Sequence, residues 1–270
     1  MPFTLTHTLA VLPIAHRQTA LPVTALLIGA MVPDWSLFVP FGPHYRVTHT
    51  PAGLLTACLP LGFVLFLVFN GLYRRALIEL APARLQCRLT KFRSWQTHFG
   101  AAELLFAAAA VLIGASTHLV WDAFSHHGRW GVQMLPVLSA TMFTIGSSEV
   151  QLYKLIQHGS SLIGLPLLAY LAWRWLQRQP IEATEPPLLS HQAQLALLTL
   201  LIGLPFVIAC VKTIYFYTGT FTLHWLNRAL VHAVTEFGLW MLVLFTVYSV
   251  ALRCKKTARH RIDLLPGLPN

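Results

Sequence analysis

The feature that most limits this chain is residues 54–73, twenty positions without one charged side chain. A hydrocarbon core about 30 Å thick takes roughly 20 apolar residues of helix to cross. Only Pro60 and Asn70 interrupt the run. Four further apolar stretches follow, at about 100–121 (Ala-rich, with Glu103 near its start), 159–176, 193–215 and 230–252. Composition agrees: 10% of the 270 residues are charged and 56% are hydrophobic, where a soluble protein carries about 25% charged residues. The chain therefore reads as all-α, a polytopic transmembrane helix bundle with about five spans. Residues 20–33 form a shorter apolar run ending at Pro33-Asp34. It is expected as a helix packed against the bundle or partly inserted from one side.

The formal net charge is +10, and its placement orients the bundle. The 74–93 linker carries Arg74, Arg75, Arg84, Arg88, Lys91 and Arg93 against Glu79. Arg174 and Arg178 follow the third span, and Arg253, Lys255, Lys256, Arg259 and Arg261 follow the fifth. With five spans all three segments share one side, which the positive-inside bias makes cytoplasmic. The linker is most simply a solvated loop or one touching anionic lipid. No segment is long and polar enough for a basic nucleic-acid-binding domain. Cys58, Cys87, Cys210 and Cys254 show neither paired nor metal-type spacing. Residues 1–16 lack a basic n-region, so no cleavable signal peptide is expected. Three segments result: 1–158 with the candidate site, 159–252 with the remaining helices, and a basic cytoplasmic tail at 253–270.

Residues 1–50, 122–158 and 216–229 then lie on the extracytoplasmic face. They hold eight of the 13 histidines: His7, His16, His44, His49, His126, His127, His158 and His224. Trp35, Trp121, Trp130, Tyr215, Tyr217 and Trp225 share that level, as an interfacial aromatic belt would. Within it, His118, Asp122 and His126 stand four residues apart at the end of the second span. At about 100° per residue they fall within an arc of roughly 80° on one helix face. Imidazole and carboxylate at that spacing suit zinc, manganese or iron, and ionisable side chains beside a membrane-length run usually mark a functional site. Taken singly, the N-terminal residues have plainer roles. Asp34 would cap the next segment, and His7 would be a hydrogen-bonded helix histidine.

Together, the opening Met-Pro-Phe-Thr-Leu-Thr-His-Thr-Leu-Ala-Val-Leu-Pro, the Gly29-x-Met-x-Pro33-Asp34-Trp35 and the Thr117-His118-x3-Asp122-x3-His126-His127-Gly128 resemble the DUF4184 family of bacterial membrane proteins. More distantly, the order of motifs over residues 1–128 is similar to the YdjM-type membrane-bound metal-dependent hydrolases and the zinc-dependent phospholipase C and P1 nuclease superfamily. That resemblance implies that Asp34, His49, His118 and Asp122 hold one ion. Asp122 would bridge to a second near His7, and His126 or His127 would begin a third position. Two departures weigh against the third ion. The enzymes use a free N-terminal Trp where this chain has Met1, and their His-x3-Glu is missing after His158, which Gly-Ser-Ser-Leu follows.

The implied activity is metal-dependent hydrolysis of a phosphoester, lipid or lipid-linked, at the extracytoplasmic face of a bacterial inner membrane. Its cofactor would be one to three divalent ions, zinc by ligand type, and its partners membrane lipids rather than nucleic acid. His118 and Asp122 would carry the chemistry. His44, Arg46, His158 and Ser161 are candidates for substrate contact, Arg46 for a phosphate. Gln157-His158-Gly-Ser160-Ser161 would open the third span, where hydroxyls either cap the helix or support a ligand. His224, Arg228, His232 and Glu236 repeat every four residues; His232 and Glu236 would supply the missing ligand pair, or join Arg228 in an internal ion-pair seam. A different class of function stays open: a transporter or proton relay with His118, Asp122, His232 and Glu236 strung through the membrane. Haem between His118 and His232 is a third, weaker alternative.

Overall fold

Backbone in lipid has no water to satisfy its N–H and C=O groups, so a span must be helical. The apolar runs are helices in the computed structural model, which describes residues 3–16, 20–93, 98–145, 148–183, 188–218 and 222–263. The side chains of His16, His224, Lys256, Arg259 and Arg261 lie outside the described set. A short helix α1 (Val23–Met31) precedes five long ones: α2 (Pro51–Leu80), α3 (Ala101–Ser125), α4 (Leu152–Gln177), α5 (His191–Phe216) and α6 (Leu223–Asp263). All five long helices are apolar enough to cross a membrane. Each exceeds its apolar run because helix continues into polar flanks. The 122–158 segment also holds an antiparallel hairpin, β1 (Thr141–Ile145) and β2 (Ser148–Gln151), which the hydropathy pattern did not signal.

The chain divides into two units, one of Met1–Ser36, Phe41–Phe66 and His98–Arg178, the other of Leu37–Pro40, Leu67–Thr97 and Gln179–Asn270. In the first, α1 packs directly on α3. A Cβ at Gly29 would lie 2.3 Å from the Val111 carbonyl oxygen, and one at Gly114 would lie 2.4 Å from that of Leu26. Ala30, Ala107, Ala110 and Ala115 are fully buried around these contacts, so small residues let the two backbones touch. The close approach lets His118 Nδ1 reach the Ala30 carbonyl oxygen at 2.8 Å. Replacing Gly114 by Ala is expected to cost about 1–3 kcal/mol by overpacking, seen as a lower thermal midpoint in detergent. Ala at Gly159, where a Cβ meets nothing, should be neutral or stabilising by comparison; equal midpoints for the two variants would contradict the packing argument.

In the second unit, α5 and α6 pack on each other and on the end of α2, with Ala76, Leu80, Leu201, Tyr248 and Leu252 buried between them. The basic linker departs from the solvated loop expected of it. Residues 74–80 complete α2, and Arg75 and Arg93 are buried around Glu79. Arg93 Nε and Nη2 each stand 2.8 Å from Glu79 Oε1, and Arg75 Nη2 stands 3.3 Å from it. One carboxylate thus takes two guanidinium groups out of solvent.

Candidate metal centre

Four elements of the first unit bring their polar side chains to one point. The first is the 3-10 helix Thr4–Ala10, which carries His7 and is tethered twice at its N-terminal end. Phe3 N–H donates to Ser161 Oγ at 2.7 Å, and Thr4 Oγ1 donates to Asp34 Oδ2 at 2.7 Å. Gly164 leaves room on α4 for this helix, since a Cβ there would sit 3.2 Å from Thr6 and Leu9 atoms. Asp34 lies in the 3-10 turn Val32–Leu37, fully buried. It caps no helix; its carboxylate faces Thr4 and two histidines instead.

His49 ends the short helix Tyr45–Thr48, just before Thr50 caps the start of α2 by accepting from Gly53 N–H at 2.9 Å. Thr48 Oγ1 donates to the Pro33 carbonyl oxygen at 2.7 Å, tying the turn of His49 to that of Asp34. A π-helical turn, Leu54–Cys58, follows in α2, an irregularity frequent near functional sites. The Tyr45 ring lies 3.8 Å from that of His49. The fourth contribution is α3, with His118 and Asp122 one turn apart on its buried face.

The separations at this point are uniform. His49 Nε2 is 3.6 Å from Asp34 Oδ1 and 3.4 Å from Asp122 Oδ2. His118 Nε2 is 3.6 Å and 3.5 Å from the same two oxygens. Around Asp122 Oδ1, His7 Nε2 stands at 3.6 Å and His126 Nδ1 at 3.4 Å. These are too long for the 2.7–3.2 Å typical of an N–H···O bond. Two ligand atoms at about 2.0–2.2 Å from a shared tetrahedral ion would stand roughly 3.3–3.6 Å apart. Asp34 Oδ1, His49 Nε2, His118 Nε2 and both Asp122 oxygens are buried without a hydrogen-bond partner. Among the described residues, two triads, His7-His118-Asp122 and Asp34-His49-His118, each keep their ligand atoms within 4.8 Å of one another.

The surroundings set which ring nitrogens are free. His118 Nδ1 points at the Ala30 carbonyl oxygen, and His49 Nδ1 lies 3.0 Å from that of Tyr45. A carbonyl accepts, so each Nδ1 carries a proton and each Nε2 is the ring nitrogen turned toward the carboxylates. Burial, reinforced by the neighbouring His118, holds His7 down to about 3, so it is neutral near pH 7. Burial pushes the Asp34 carboxyl up, against the pull of His118 and Thr4. Removal from water likewise lowers His126, which Gln157 Nε2 approaches at 3.2 Å through the other ring nitrogen.

The remaining predicted residues lie elsewhere. His127 is exposed, with its ring 6.0 Å from Tyr153. His44 is exposed and caps its own turn by accepting from Arg46 N–H at 3.1 Å, and the Arg46 side chain is exposed. The Gln157–Ser161 stretch lies inside α4 rather than at its start, so its serines cap nothing: Ser160 donates back to the Ile156 carbonyl and Ser161 anchors Phe3. His158 is exposed beside Gln157. In the second unit, Glu236 accepts from Lys212 Nζ at 2.6 Å and from Trp240 Nε1 at 3.2 Å, so its cationic partner is Lys212 where Arg228 was expected. His232 packs against Phe216 and Tyr217. Residue-by-residue reading missed Thr4, Tyr45 and Arg129. Arg129 donates to the His49 carbonyl at 3.3 Å and to the Tyr45 hydroxyl at 3.5 Å. Its one sequence signal is its place three residues after His126.

Fold and site together define a polytopic helical membrane protein with a buried histidine–aspartate cluster. The chain belongs to the DUF4184 family: residues 1–250 match the family model described as a domain of unknown function. No curated protein and no solved structure matches it.

Proposed function

We propose that this protein is a membrane-bound metal-dependent hydrolase acting on a phosphoester, lipid or lipid-linked, at the extracytoplasmic face of a bacterial inner membrane. The observation that carries the reading is the set of inward-facing, buried and partnerless atoms on Asp34, His49, His118 and Asp122, at tetrahedral-edge separations. Two imidazole nitrogens with two carboxylates are a donor set for zinc. Asp122 Oδ1, His7 and His126 offer a second position that shares Asp122. Those residues would hold a divalent ion, whose chemistry there would be to acidify a water and polarise a phosphoryl oxygen. The chain's own residues orient the ligands: Thr4 holds Asp34, and the Ala30 and Tyr45 carbonyls fix the two imidazoles. Convergence on one point supports hydrolysis over a proton relay, which needs its groups in series.

The test is elemental analysis of detergent-purified protein prepared without chelators, alongside turnover of bis-p-nitrophenyl phosphate. Stoichiometric zinc or another divalent metal is expected, with turnover abolished by chelation and restored by metal. Metal-free protein would sink the reading. The orientation has a separate check: a reporter fused after Arg93 should behave as cytoplasmic.

A further inference from the structure

We infer that Arg129 and the cavity beside Asp122 form the pocket that receives the substrate's phosphoryl group. The inference rests on the metal-dependent reading above. The cavity measures about 90 Å³. His49, Asp122 and Arg129 line it, and Pro51, Leu119 and Trp130 add apolar surface. Ligand pockets for drug-sized molecules run to roughly 300–1,000 Å³, so this one admits a headgroup-sized anion and leaves the rest of a lipid outside.

Arg129 suits the task by geometry. A guanidinium offers five N–H donors in a planar fork. Two are engaged, at the long distances of 3.3 Å to the His49 carbonyl and 3.5 Å to the Tyr45 hydroxyl. The Tyr45 ring lies beneath the guanidinium carbon at 5.9 Å. These contacts index the fork to the backbone of His49, itself in the cluster, and leave three donors for phosphate oxygens. Arg46 has no comparable placement. The neighbouring Asp122 carboxylate repels an anion unless a cation neutralises it, so phosphate binding should depend on bound metal. A phosphoryl group in this cavity would meet both Arg129 and the metal-ligand side chains His49 and Asp122, with apolar surface for the flanking chain.

The experiment is calorimetric titration of metal-loaded, detergent-purified protein with inorganic phosphate and, separately, with dioctanoyl phosphatidate. Metal content is counted on every sample. Arg129→Gln should keep its metal and bind both ligands at least tenfold more weakly, and Arg129→Lys should fall between it and the wild type. Arg46→Gln should match the wild type. A metal-replete Arg129→Gln with wild-type phosphate affinity overturns the pocket and leaves the metal reading standing. If that variant does not fold, Arg129→Lys decides the matter by the same comparison. Wild-type protein that takes up no metal overturns the parent reading and the pocket with it. Within a confirmed pocket, tighter binding of phosphatidate than of phosphate assigns it to a lipid headgroup, and equal or weaker binding to a soluble phosphoester.

Discussion

Protein carrying Asp122→Ala is expected to purify with little or no bound metal and no phosphoesterase turnover. Among the described residues, Asp122 is the only side chain within 3.6 Å of all four nearby imidazoles, those of His7, His49, His118 and His126. In the proposed metal centre, its removal would take a ligand from both positions at once. Loss of an outer-sphere partner costs roughly 10–100-fold in metal affinity, so loss of a shared inner ligand should cost more. Stability gives a sharper discriminator. If the cluster were a structural ion-pair network, removing Asp122 would destabilise the protein under all conditions. If it is a metal site, the chelated wild type buries two Asp122 oxygens that lack any partner, each costing about 1–3 kcal/mol. Asp122→Ala should then match or exceed the chelated wild type in thermal midpoint while falling below the metal-loaded wild type. A uniformly lower midpoint, with and without chelator, would instead identify a structural network. Asp122→Asn keeps the volume but loses the charge, and should retain less than the full metal complement.

The five spans were legible because lipid selects on mean hydropathy over some twenty residues, a signal that survives ignorance of every contact. The pair His118 and Asp122 was legible because helical period alone puts them on one face. His126 and His127 show where that period stops helping. Helix α3 ends at Ser125, and His126 adopts extended backbone with φ −128° and ψ 139°. From there His126 reaches Asp122, whereas His127 sits in the turn that Arg129 N–H closes on the His126 carbonyl at 3.3 Å and is exposed. Gly128, at φ +71°, completes the turn. The partners that matter most next were not legible from spacing. Thr4 meets Asp34 across 30 residues and Arg129 meets Tyr45 across 84. Counting charges also misled at the linker. Six basic residues against one acid read as solvated, yet that acid organises a buried network.

That acid supports the second large effect. Glu79→Ala should destabilise the protein by about 3–5 kcal/mol, the usual cost of removing one partner from a buried ion pair. Glu79 is fully buried, and Arg75 and Arg93 are 3% and 5% exposed. The variant leaves two guanidinium groups inside without their carboxylate. It also frees the Leu188 N–H, which donates to Glu79 Oε2 at 3.4 Å. The backbone at this position matters independently, because the Glu79 carbonyl accepts from Gln86 Nε2 at 3.2 Å and Gln194 Nε2 at 2.9 Å. Those bonds persist in any side-chain variant, so the loss should report the ion pairs rather than collapse of the turn. The mechanism predicts a specific rescue. Replacing all three residues by apolar side chains of similar volume removes the stranded charges along with the pair, and such replacements are often neutral. A triple variant, Glu79→Met with Arg75→Met and Arg93→Leu, should therefore unfold closer to the wild-type midpoint than Glu79→Ala alone. If the triple variant is the less stable of the two, the guanidinium groups contribute through contacts other than Glu79, and the stranded-charge explanation fails.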